Sequence, residues 1–146
     1  MDYRETNRKV IPAFRSGGPL PGMHRERLLL LTTTGRRTGN VHTTPMMFHR
    51  EGGRLFVIAS NVGAPRDPDW CLNLRADPAV TVEVGDSAPG EAGEADSPAY
   101  AATAAVIEGA DRAAVWPRII ELYPFFADHE KTATPREIPV VELTRA

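Results

Sequence analysis

The apolar residues of this chain fall into short runs with two different periods. Leu28 to Leu31 is the longest unbroken aliphatic run, followed by three threonines and Gly35; a run of this kind bounded by turn residues reads as a buried strand over 27–34. Gly35-Arg36-Arg37-Thr38-Gly39-Asn40 is then a tight connection to a second strand from Val41 to Arg50, and Glu51-Gly52-Gly53 a hairpin turn into a third, Leu55 to Ser60. Strands joined by so few residues must be antiparallel neighbours, because a parallel pair needs a long crossover. Val80, Val82 and Val84 alternate with Thr81 and Glu83, a weaker alternation runs from Tyr100 to Ile107, and Ile138 to Leu143 is the closing strand, with Pro139 at an edge or first-residue position.

Helical periodicity is sparser. Tyr3, Val10, Ile11 and Phe14 form an apolar stripe among basic residues, with Pro12 weakening its last turn; such a stripe either packs on the domain or lies on a membrane surface. Ser16 to Gly22 is a linker. Asp67 or Asp69 is placed to cap a helix running to about Ala76, with Pro68 suited to its first turn and Asp77-Pro78 ending it. Gly85 to Pro98 holds three glycines, four acids and two prolines and reads as an exposed loop. A helical stretch starts at Asp111, where Pro117 implies a kink or two short helices. About six strands with two or three helices describe an α+β chain that is mainly antiparallel β, with residues 1–22 as an N-terminal helix and linker and 23–146 as one barrel domain.

Composition narrows the class of function. The 146 residues are 42% hydrophobic and 25% charged, ordinary for a globular domain. No apolar run approaches a membrane span, and no apolar stretch follows a basic one at the N-terminus, so a cytoplasmic protein is expected, with membrane association only through the first helix. The single cysteine, Cys71, rules out an intrachain disulfide and a multi-cysteine zinc site. A net charge of −2 excludes nucleic acid as the main partner. The charge is uneven, however: residues 1–75 carry twelve Lys and Arg against six acids, and the remainder five against thirteen. A small anionic ligand held by the first half would account for that asymmetry.

Phosphate-loop, dinucleotide-turn and nucleophile-elbow motifs are missing. His24, His42, His49 and His129 lack metal-ligand spacing, so no metal is expected. What stands out is Thr32 to Gly39, a polar, doubly basic turn leaving a buried strand, able to present N–H groups, a hydroxyl and two cations to one anion. Thr43-Thr44-Pro45, Ser60-Asn61, and Trp70 with Asn73 lie nearby in the inferred sheet. They either line one cleft or are a bulge, a turn and a packed helix face.

The ordered series L-L-T-T-T-G-R-R-T-G (Leu30 to Gly39), T-T-P (Thr43 to Pro45), A-S-N-V-G (Ala59 to Gly63), P-D-W-C-L-N-L-R-A-D-P (Pro68 to Pro78) and W-P-R-I-I-E-L-Y-P (Trp116 to Pro124) resembles the deazaflavin-dependent nitroreductase family, which uses coenzyme F420. The resemblance runs from about Leu28 to Leu143. It implies a split β-barrel related to flavin-binding pyridoxamine-phosphate oxidases, and an oxidoreductase that passes hydride from the reduced coenzyme to an electron-poor small molecule such as a quinone, an enone or a nitroaromatic.

Carried over by position, the resemblance implies that Arg36, Arg37 and Thr38 face the phosphate-bearing tail. His42, Thr43, Thr44, Pro45, Met46 and Met47 would line the ribityl chain and ring. Ile58, Ala59, Ser60 and Asn61 would contact the deazaflavin, with Ser60 at the reacting face, and Asp69, Trp70, Cys71, Leu72 and Asn73 would complete the cleft from a helix N-terminus. Cys71 on residue type alone is a small packing residue. Nitro-reducing members are similar to Y-P-x-Y-x-x-Y where this chain has Tyr123 to His129, with Phe126 and His129 replacing two phenols. Phe126 can wall the substrate pocket without donating a proton, whereas Tyr123 or His129 can donate one. Two alternatives remain on this reading: an FMN oxidoreductase on the same barrel, and a non-catalytic carrier of deazaflavin or tetrapyrrole. Related split barrels often pair, so a homodimer is a further expectation.

Overall fold

The computed structural model describes residues 10–15, 28–84 and 99–146. Six strands, β1 (Leu28–Thr34), β2 (Val41–Glu51), β3 (Arg54–Ile58), β4 (Ala79–Val84), β5 (Ala99–Ile107) and β6 (Val140–Arg145), close into one barrel in the order β1-β2-β3-β6-β5-β4. Every neighbouring pair is antiparallel. Closure leaves none of these six strands with a free edge, so the edge position considered for the last strand is wrong. Pro139 instead precedes β6, and its carbonyl accepts the Ala59 N–H at 3.0 Å.

The four consecutive leucines of β1 are explained by cover on both faces of the strand. Leu29 and Leu31 point into the barrel with Leu55, Val57, Val80, Val82, Val141 and Leu143. Leu28 and Leu30 point outward against Phe14 of α1, the helical segment at residues 10–15. Each of these leucines is 8% exposed or less, and burial of a leucine is worth about 1.5–3 kcal/mol. The apolar stripe of α1 is therefore spent on the barrel, Val10 and Phe14 being buried, and the membrane-surface alternative is not supported. Arg15 fixes the segment further with a bidentate bridge to Glu83 of β4. The linker at 16–22 and the loop at 85–98 lie outside the described residues.

The outer face of β3 and β6 carries a second core. Phe56, Ile107 and Val140 pack there against Val115, Trp116 and Ile119 of α3 (Gly109–Leu122) and Phe126 and Ala133 of α4 (Phe125–Ala133). Pro117 lies inside α3 without dividing it, so the two-helix expectation fails. The helix at Phe125–Ala133 is an element that the sequence pattern did not isolate. α2 (Asp69–Ala76) begins at Pro68 with no side-chain cap. Asp67 does not cap it either, because its carboxylate is engaged by Arg136 at 2.7 Å.

Candidate functional site

The turn between β1 and β2 is held tight by its own backbone. Gly35 N–H donates to Asn40 O at 2.7 Å and Gly39 N–H to Gly35 O at 2.9 Å. Gly39 has φ +77, and a side chain at Gly35 would stand 3.0 Å from both Asn40 O and His42 Nε2, so both positions call for glycine. The turn faces α2 across a cleft of about 630 Å³ lined by Gly35, Arg36, Arg37, Thr38, His42, Thr43, Thr44, Asp69, Trp70 and Asn73, with Ile11 from α1. Nine residues that the resemblance assigns to the cofactor, and Gly35 of the same turn, thus meet in one cavity. Ile11 was not singled out for this role, because nothing in a local helical stripe tells which cavity its flank will meet.

The two arginines of the turn are not equivalent. Arg36 donates to Asn73 Oδ1 from its backbone N–H at 3.2 Å and from Nη1 at 2.7 Å, and Nη2 reaches Asp69 at 3.3 Å. Asn73 is 4% exposed and donates in turn to Thr33 Oγ1 at 3.5 Å. Arg36 therefore joins the β1–β2 turn to α2. Arg37 is exposed and has no hydrogen-bond or ion-pair partner among the described residues. It is the cation of this turn free to meet an anion.

Other residues of the expected site lie elsewhere. Met46 packs on the barrel core, Met47 on the Phe14 cluster and Ile58 on the second core. Cys71 and Ala59 are fully buried, and burial pushes the Cys71 thiol up, which suits a packing role for this side chain rather than a cofactor contact. Pro45, Leu72 and Asn61 are half-buried, and Asn61 Nδ2 donates to Arg66 O at 3.0 Å. None of these lines the cleft.

Ser60, Tyr123, Phe126 and His129 form a second cluster around the 3₁₀ turn at Asn61–Gly63 and α4. His129 Nδ1 and Ser60 Oγ share a hydrogen bond of 3.2 Å. The imidazole rests against Phe125 at 5.8 Å and Phe126 at 5.9 Å. Phe126, expected to wall a substrate pocket, is 6% exposed in the second core, whereas Phe125 presents its ring at 40%. A side chain on Gly63, which has φ +79, would clash with Thr132 Oγ1 and stand 3.1 Å from His129 O. The lack of a side chain there lets α4 close onto the turn.

Tyr123 Oη pairs with buried His49 Nδ1 at 3.4 Å, and His49 Nε2 with Glu51 at 3.1 Å. Glu51 also bonds Arg118, whose hydrogen bonds are the main reason its carboxyl is held below the usual range. Neither His49 nor Arg136 stands out as a site residue in the sequence: Tyr123 lies 74 positions from His49 and Asp67 lies 69 from Arg136, so no local motif exposes these pairings.

Residues 3–145 match the family described as F420H(2)-dependent quinone reductase. An F420H(2)-dependent quinone reductase of Mycobacterium tuberculosis is 33% identical to this chain over 143 residues, which span 98% of this chain and 85% of that protein. Among solved structures, an F420H2-dependent reductase (FDR-A) superposes with a TM-score of 0.64 at 32% identity, covering 84% of this chain and 99% of the other. A domain-swapped dimer superposes with a TM-score of 0.66 at 30% identity, covering 93% and 95%.

Proposed function

Because the chain belongs to the F420H(2)-dependent quinone reductase family, we propose that it is an oxidoreductase that binds coenzyme F420 in the cleft between the β1–β2 turn and α2 and reduces quinones. The observation that carries the placement is that Arg37, unpaired among the described residues, lines the same cleft as Trp70. An elongated ligand with an anionic tail and a flat ring fits that pairing of free guanidinium and indole. Thr38 adds a hydroxyl and Arg36 holds the two walls together, so the residues present suit the coenzyme. Asp69 works against a negative group, but it is held by Arg36 at 3.3 Å and Arg66 at 3.8 Å, which offsets its charge.

When bound, reduced F420 supplies the hydride. The chain then has three tasks: to hold the acceptor against the coenzyme, to keep water out and to deliver a proton, since a quinone that gains a hydride also takes up a proton on oxygen. We assign proton delivery to His129. Ser60 fixes its Nδ1, and the flanking Phe125 and Phe126 rings orient the imidazole. The match to the quinone reductase family is the reason to place quinones ahead of nitroaromatics as acceptors.

Spectral titration with F420 and, separately, with FMN tests the cofactor. Saturable binding of F420 without FMN binding is expected, and the reverse would overturn the reading. Turnover of menadione with reduced F420 separates an enzyme from a carrier. Tight binding with no turnover of any quinone would leave a carrier.

A further inference from the structure

Arg136 lies between α4 and β6, outside both the cleft and the Ser60–His129 pair. Its guanidinium side chain is 12% exposed, and each of its five N–H donors has an acceptor. Nε donates to Ala64 O at 3.1 Å, Nη1 to Ala59 O at 3.1 Å and Asp67 Oδ1 at 2.7 Å, and Nη2 to Ser60 O at 2.7 Å and Ala64 O at 2.8 Å. All four partners belong to the connection between β3 and α2. At one end is Ser60, whose side chain holds His129. At the other is Asp67, two residues before Asp69 on the cleft wall, and Asp67 is approached also by Arg75 at 3.8 Å.

The connection needs such a clasp. Asn61 and Val62 have φ 49 and φ 48, left-handed conformations that are unfavourable for residues with a Cβ and persist only where surrounding bonds over-determine them. Val62 is 58% exposed, so packing of its own side chain does not hold it there. The carbonyls immediately before and after this turn are the ones Arg136 gathers. From this geometry we infer that Arg136 is a positioning residue for quinone reduction: by binding Ala59, Ser60, Ala64 and Asp67 together, it holds the Ser60–His129 pair at a set place relative to the α2 wall. The inference rests on the placement of coenzyme and acceptor proposed above. A lysine cannot replace it, since an ammonium has three donors on one atom and cannot span four acceptors arranged for a planar fork.

The test is steady-state kinetics with reduced F420 and menadione on wild-type protein, R136K, D67N and a control, R54K. Arg54 also donates bidentately, to Asp111 and Glu142, but its partners lie on β6 and α3, away from the cleft and from Ser60. Misplacement of reacting groups by about 1 Å costs on the order of 100-fold in rate, so R136K should lose between about 10- and 100-fold in kcat. Its F420 dissociation constant, set at the Arg37 end of the cleft, should stay near the wild-type value.

D67N keeps the four carbonyl bonds and should lose kcat in the same direction by a smaller factor, and R54K should leave both parameters unchanged. Unchanged kcat in R136K would overturn the inference. So would an R54K protein that loses kcat in the same proportion to its melting temperature. Should R136K not fold, D67N decides: a kcat loss with unchanged F420 affinity supports the clasp, and wild-type kcat in D67N overturns it. Wild-type protein without turnover would instead remove the functional reading on which the inference stands.

Discussion

At the scale of single residues, two adjacent arginines with the same chemistry are separated by their partners. Among the described residues Arg37 has no partner and Arg36 is committed to Asn73 and Asp69, so Arg37→Ala should weaken F420 binding and leave the melting temperature unchanged. A charge-assisted hydrogen bond contributes about 1.5–3 kcal/mol, or roughly one to two decades in affinity, which fluorescence titration resolves. Arg36→Ala should lower both affinity and melting temperature, because it removes the side-chain bonds to Asn73 and Asp69 that join the turn to α2 and leaves the buried Asn73 carbonyl only the backbone N–H of residue 36. Equal effects of the two substitutions on melting would contradict this division. His129→Phe should lower menadione turnover by about 10²–10⁴-fold, the usual contribution of a positioned general acid, while F420 affinity holds. Turnover equal to wild type would mean that the proton comes from solvent or from Tyr123.

At the scale of elements, α3 is anchored to the barrel by charge as well as by its apolar face. Arg118 pairs with Glu51 of β2, and Arg54 of β3 pairs with Asp111. The Arg118 and His49 bonds hold Glu51 below the ordinary carboxylate value, and the Arg54 bonds do the same for Asp111. A carboxylate with a depressed folded-state pKa contributes stability that is present above its unfolded value of about 4 and is lost as pH falls through the folded value. The melting temperature should therefore be flat from neutrality down to about pH 5 and should fall below about pH 4. The double variant Glu51→Gln, Asp111→Asn should show a shallower acid fall in melts taken across that range. An identical fall would place the acid sensitivity elsewhere. Both pairs are solvent-exposed, so the effect is modest.

At the scale of the whole molecule, the two ends of the barrel have different work. The cleft opens at the end of β1 near Thr34, where β2 begins opposite at Val41. Val84, the last described residue before the 85–98 segment, pairs with Leu29 at the other end of β1, and the β4–β5 ladder resumes at once with Glu83 opposite Ala99. A short Asn-Gly turn in place of residues 85–98 should thus preserve folding and F420 affinity, since loop length itself changes stability by only about 0.6 kcal/mol per doubling. Loss of F420 binding in the shortened, folded protein would show that the segment reaches the cleft.

The strands, their antiparallel order and the basic turn were legible in the sequence because they are set by local physics: alternation of apolar residues, glycine in tight turns and connections too short to cross a sheet. The residues of that turn and of α2 also came within reach, since strand order brings Arg36 to Thr44 close to the helix that starts at Asp69. A barrel followed from the run of hairpins, but its closure through β6 was not legible. It turns the strand after Pro139 from an edge into an interior member, and it depends on β6 meeting β3 and β5 at once. Nor was the packing of Met46 and Met47 against the cores or the burial of Phe126, because which face of an element is covered depends on what packs across from it. The division between Arg36 and Arg37 and the clasp of Arg136 belong to the tertiary structure alone: a guanidinium's role is decided by which acceptors the fold brings within about 3 Å, and those acceptors come from chain segments remote in sequence.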